Sequence, residues 1–90
     1  MRVVITAIDK AGAQQLRLDN RQAHLDYVAQ TGVVEMAGPF LDARGQMCGS
    51  LLILSVQDVQ QAESWAENDP YAKAGLFETV SIRPWKKVIG

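Results

Sequence analysis

The sequence predicts an α+β fold: one antiparallel sheet of four strands with two main helices packed on a single face. Three observations predict it. Apolar and β-branched runs at residues 2–8, 33–42, 48–56 and 76–88 have the composition of strands. Two segments carrying helix-capping spacings lie after the first and third of these runs. Glycine- or proline-bearing turns separate the pieces. The order strand, helix, strand, strand, helix, strand is the ferredoxin-like βαββαβ plan.

The first run, Arg2 to Ile8, is apolar on both faces, with Val3, Ile5 and Ala7 on one and Val4, Thr6 and Ile8 on the other. Such a strand is covered from both sides. After the break at Gly12, Asp19 and Gln22 have capping-box spacing, which places the defined start of the first helix near Asp19. The preceding "AQQLRL" is either a separate turn or an earlier part of the same helix. Leu18, Leu25 and Ala29 form the core-facing stripe, with Val28 at its edge, and Gly32 stands at the C′ position.

"VVEMAGPFLD" is the second strand, on an edge or at a distortion because Pro39 has no N–H for a ladder; Gly38-Pro39 is its expected bulge or bend. "ARGQ" makes the hairpin turn around Gly45, and "CGSLLILSV" is the buried strand. Asp58 with Gln61 opens a second helix whose inward residues are Val59, Ala62 and Ala66. "DPYAKAG" is a short helix with Asp69 as N-cap, Pro70 at N1 and Gly75 at its end. "LFETVSIRPWKKV" is the last strand, broken or bent at Pro84. One face of this sheet lacks a cover, exposing either Leu52 and Leu54 or their neighbours of opposite parity. Two copies pairing those faces across a two-fold axis bury them, so a homodimer is expected.

Ninety residues make one domain, 1–90, without room for a second core. A net charge of −1 with interleaved signs argues against nucleic-acid binding, and no apolar run approaches the ~20 residues that span a bilayer. The apolar start stops at Asp9 without a cleavage site, so it reads as strand rather than signal peptide. The single cysteine, Cys48, permits no internal disulfide and fits a reducing cytoplasm; it reads as a small buried hydrophobe. One Cys and one His also argue against a dedicated metal centre, and no bound cofactor is expected.

The chain's only histidine, His24, has two readings from the residues alone: an idle residue at the edge of the helix stripe, or a general acid/base. Arg21, three residues earlier, shares its helix face. Asp69 caps its helix and keeps lone pairs free for an imidazole N–H, so both roles are compatible. Tyr71 and Trp65 read first as packing residues, although the Tyr71 hydroxyl is suited to line a pocket. Ser50 lacks an elbow motif and reads as ligand-contacting rather than nucleophilic.

Several motifs resemble the YciI-like proteins: "NRQAHLDYV" is similar to their R-x-x-H-L segment, and "EMAGPF" to their A-G-P strand. Gly49-Ser50 resembles their third-strand motif, and "SWAENDPYAKAGLF" their closing W-x-x-x-D-P-Y region. The "RGQ" turn is shorter than in some relatives. The resemblance implies a dimeric α+β barrel, akin to the muconolactone isomerase-like proteins, and a pocket holding a His–Asp pair, here His24 and Asp69. Some relatives are dehydrochlorinases of chlorinated hydroxyaromatic compounds. The chain is expected to be a small cofactor-independent enzyme, with His24 and Asp69 catalytic on this resemblance and with Arg21, Ser50 and Tyr71, on the reading of the residues themselves, binding a small, hydroxylated cyclic molecule. The alternative is a non-catalytic module binding a small molecule or joining an assembly on the same dimeric fold.

Overall fold

A computed structural model describes all 90 residues. Strand β1 (Arg2–Asp9) leads into helix α1 (Gln14–Thr31), followed by the hairpin β2 (Val34–Leu41) and β3 (Met47–Ser55). Helices α2 (Val59–Asn68) and α3 (Pro70–Lys73) precede strand β4 (Phe77–Trp85). The antiparallel sheet has the order β2-β3-β1-β4, the ferredoxin-like arrangement.

Both prolines of the strands lie on edges, where a missing N–H costs no ladder bond. The expected distortions at them are absent. Gly38 and Pro39 pair regularly with Leu51 and Ser50, and the register shifts fall on either side, between Val34 and Met36 and between Phe40 and Leu41. Pro84 pairs with Val3, and β4 runs unbroken through it to Trp85. In the β2–β3 turn, the Asp42 carboxylate accepts from the N–H groups of Arg44 and Gln46, and Gly45 takes φ 76°.

Alternation assigns the sheet faces. Val3, Ile5, Leu52 and Leu54 turn inward and, with Val56, Ala62 and Trp65, make the core under the helices. Leu51 and Ile53, of opposite parity, lie on the uncovered face with Val4 and Thr6. Helix α2 is capped as its spacing requires: Asp58 accepts from Gln61 N–H, and Gln61 Oε1 reaches back to Gln57 N–H.

Helix α1 departs from its sequence reading. It starts at Gln14, five residues before Asp19, and its N-cap Ala13 supplies no side-chain bond. Asp19 accepts instead from Gln15 Nε2, and Gln22 Nε2 donates to Asp26, so both belong to exposed i,i+4 pairs. The stripe is rotated as well. Leu18 and Leu25 are exposed, as is Ala29, whereas Arg17 and His24 are the buried residues of this helix. The sheet-facing side of α1 is polar along its N-terminal half and joins the core only through Tyr27 and Val28. At its end, Gly32 takes the left-handed conformation, φ 66°, as anticipated.

Candidate functional site

The site sits where inward positions of the sheet change from apolar to polar. On β3 the inward series runs Leu54, Leu52, Ser50, and Ser50 is 4% exposed. Opposite it, α1 presents Arg17 and, two turns later, His24. Helix α3 closes the arrangement. Its N-cap Asp69 holds an extended conformation, and Asp69 Oδ1 accepts from Tyr71 N–H at 3.0 Å.

That same Oδ1 lies 2.8 Å from His24 Nδ1. A carboxylate only accepts, so Nδ1 carries the proton, and in the neutral ring Nε2 is left as the free base. The imidazole stacks on Tyr71, with ring centroids 4.1 Å apart and planes 14° from parallel. Tyr71 is in turn covered by the Arg17 guanidinium, whose carbon lies 4.6 Å from the ring centroid. Arg17 Nε and Nη2 donate to the two oxygens of Asp9 at 2.7 and 2.9 Å, and Nη2 also donates to Ser50 Oγ at 2.8 Å.

No side-chain nitrogen or oxygen is both sealed from solvent and without a partner. Four atoms of this buried cluster, His24 Nε2, Tyr71 Oη, Arg17 Nη1 and Asp69 Oδ2, make no hydrogen bond of ordinary length, although Arg17 acts on the Tyr71 hydroxyl as a donor. Arg17, His24, Ser50 and Tyr71 line a cleft of about 160 Å³ between α1, β2, β3 and α3. Its other walls are Arg21, Leu25, Val28, Ala37, Gly38, Pro39, Met47, Leu51 and Leu52.

The charges have physical consequences. Burial works against the Arg17 cation, but the bonds and charge of Asp9 outweigh it and raise the guanidinium above its ordinary value. Burial pushes the Tyr71 phenol up, against the opposing pull of Arg17 and Arg21, so it stays a protonated donor at neutral pH. Tyr27 is also raised, first by burial and then by the Asp69 charge. No three His, Cys, Asp or Glu side chains cluster in a metal-holding arrangement.

The sequence-selected residues thus converge: His24, Asp69, Ser50 and Tyr71 are buried in one cluster, and Arg21 lines the cleft from an exposed position. His24 occupies the middle of the buried helix face, not its margin. Cys48 is half-buried rather than buried, with Sγ 3.6 Å from the Phe40 carbonyl oxygen. Sequence reading missed Arg17 and Asp9. The available signal was spacing, since Arg17 stands seven residues before His24 and so on the same helix face.

Comparison with known proteins agrees with this architecture. The model of the YCII-related domain matches residues 1–86, and the chain belongs to that family. Protein YciI of Escherichia coli O6:H1 is 37% identical over 97 residues, covering 98% of this chain and 99% of the relative. A Haemophilus influenzae protein is 33% identical with the same coverage. Among solved structures, 5-chloro-2-hydroxyhydroquinone dehydrochlorinase from Burkholderia phenoliruptrix, in complex with 2,5-dihydroxybenzoquinone, superimposes with a TM-score of 0.89 at 36% identity, covering 96% of this chain and 94% of that one. An antibiotic biosynthesis monooxygenase shares the fold alone, with a TM-score of 0.61 at 11% identity over 98% of each chain.

Proposed function

We propose that this protein is a small acid–base enzyme that moves a proton on a hydroxylated cyclic molecule, using side chains without a bound cofactor. The observation that supports it is the buried His24–Asp69 pair, 2.8 Å apart, with His24 lining the cleft and Nε2 unpartnered. In this reading Nε2 takes a proton from a C–H or O–H of the substrate, and Asp69 holds the resulting imidazolium through Nδ1–H. Returning the proton to another carbon completes an isomerisation. When a carbon–chlorine bond breaks instead, chloride leaves with the bonding electrons, a double bond forms, and the proton passes to solvent. The similarity to the B. phenoliruptrix dehydrochlorinase favours the second outcome. The test is chloride release from chlorinated hydroxyhydroquinones. Wild type is expected to turn over, and His24→Asn to lose at least about a hundredfold in rate. Undiminished turnover in that variant refutes the proposal; binding without product across the panel points to the non-catalytic module.

The proposal extends to a homodimer formed through the uncovered sheet face. Only 15 of 90 residues are buried in a single copy, few for a stable domain of this length. Val4, Leu51 and Ile53 form an apolar groove there, with Trp85 exposed beside it. Ile53→Asp is expected to yield monomers in sedimentation velocity; a dimer unchanged by it refutes this pairing.

A further inference from the structure

We infer that Arg17, Ser50 and Tyr71 form a receiving site for the oxyanion of a one-ring ligand, so that the cleft binds phenolates or enolates in preference to neutral rings. The inference rests on the reading of this cleft as the active site and adds the charge state of what it takes.

The polarity of the cleft is one-sided. Arg17 Nη1 brings two N–H donors and no acceptor. Ser50 Oγ already accepts from Arg17 Nη2 and donates to no protein group, so its O–H is left for a ligand. Tyr71 Oη lies beside the Arg17 guanidinium, which acts on it as a donor, and burial keeps the phenol proton in place, so its O–H too is left for a ligand. Neither carboxylate of the cluster lines the cleft: Asp9 is engaged behind Arg17, and Asp69 behind His24 and the α3 backbone. Apart from the proton-accepting His24, donors therefore face the ligand while the carboxylates stand behind them. Arg21 adds a second cation at the exposed rim. This is the arrangement that stabilises negative charge on oxygen in a water-poor site.

Size and lining set the rest of the ligand. The cleft of about 160 Å³ compares with the roughly 150 Å³ of a cavity that takes benzene. Leu25, Val28, Ala37 and Pro39 supply apolar walls for a single ring. When a phenol enters, its O–H bond breaks, the proton goes to His24 Nε2, and the electron pair stays on the oxygen facing Arg17, Ser50 and Tyr71.

The probe is 4-nitrophenol, whose phenol and phenolate forms absorb at different wavelengths, with 4-nitroanisole as the non-ionising control. Bound to wild type, 4-nitrophenol is expected to ionise at least about one pH unit below the free compound, a tenfold preference for the anion. Nitroanisole is expected to bind at least about tenfold more weakly than the anion. Ser50→Ala and Tyr71→Phe should each return the midpoint toward the free value by about half a unit, roughly threefold. Tyr71→Phe removes one oxygen and keeps the ring, so it decides the matter where Ser50→Ala fails to fold. Coincident bound and free midpoints, equal binding of nitroanisole, or an unmoved midpoint in folded Tyr71→Phe each overturns the inference. The two readings separate cleanly. A midpoint at the free value with turnover still dependent on His24 removes the oxyanion site alone, whereas a displaced midpoint with turnover unchanged in His24→Asn removes only the acid–base proposal.

Discussion

Replacing Asp69 separates the structural from the chemical duty of one carboxylate. In Asp69→Ala, α3 loses its cap on Tyr71 N–H, which costs about 1 kcal/mol. His24 Nδ1, on a residue 7% exposed, loses its only partner, which costs a further ~1–3 kcal/mol for an unsatisfied buried donor. The combined loss of about 2–4 kcal/mol lowers the melting temperature by roughly 10–25 °C in a domain of this size. Asp69→Asn behaves differently. Both bonds use Oδ1, which asparagine retains, and the amide nitrogen takes the place of Oδ2, which has no hydrogen-bond partner. Asparagine is as good an N-cap as aspartate, so stability should fall by less than about 1 kcal/mol. The negative charge behind the imidazolium is gone, and proton transfer should slow by at least about tenfold. Thermal and urea denaturation measure the first effect, and turnover the second. Equal destabilisation of the two variants, or an alanine variant that melts with wild type, refutes the reasoning.

Other perturbations test the framework around the cleft. Arg17→Met strands the buried Asp9 carboxylate and should cost ~3–5 kcal/mol in urea denaturation, with part recovered when Asp9→Asn is added. Gly49→Ala drives a methyl group against the Ala7 carbonyl oxygen and to 3.0 Å from Phe40 Cδ2, for an expected loss of about 1–3 kcal/mol by the same measurement. The folded chain holds the Tyr27 and Tyr71 protons to higher pH than the unfolded chain does. Their contribution is complete below the ordinary tyrosine range, ~10, and is lost as pH rises from there through the raised values of the folded chain. Alkaline denaturation followed by circular dichroism should accordingly be shallower in Tyr71→Phe.

Strand order was legible because each strand carries its own pattern: two-sided apolar residues in β1, a proline in β2, a continuous apolar run in β3. The α2 and α3 caps were legible for a similar reason, since an Asp followed by Gln at N3 or by proline at N1 needs only local geometry. Helix α1 was misread because its buried face is polar. A search for leucines finds Leu18 and Leu25, which are exposed in a single copy, and passes over Arg17, which is 2% exposed. Nothing local announces that an arginine will be buried. The cause is Asp9, eight residues earlier at the end of β1, whose carboxylate makes burial of the cation tolerable. The same partnership hid Arg17 from the list of candidate site residues. At Gly38-Pro39 and Pro84, residue type suggested distortion, yet an edge strand has no ladder bond there to lose.

These misreadings have one origin, a division of labour along the sheet. At one end, Val3, Ile5, Leu52, Leu54 and Trp65 pack as an apolar core beneath α2 and the last turns of α1. At the other, the inward positions are Ser50, Arg17, His24, Asp69 and Tyr71, and apolar burial gives way to ion pairs, caps and stacked rings. Such polar groups stabilise little when all are satisfied and destabilise strongly when one is left unpaired. Selection for stability alone would favour leucine at these places. Their cohesion around an open cleft is what a site holding charge in fixed positions requires. The apolar end should therefore tolerate volume-conserving exchanges such as Leu54→Met, whereas the polar end should tolerate only exchanges that preserve each donor and acceptor.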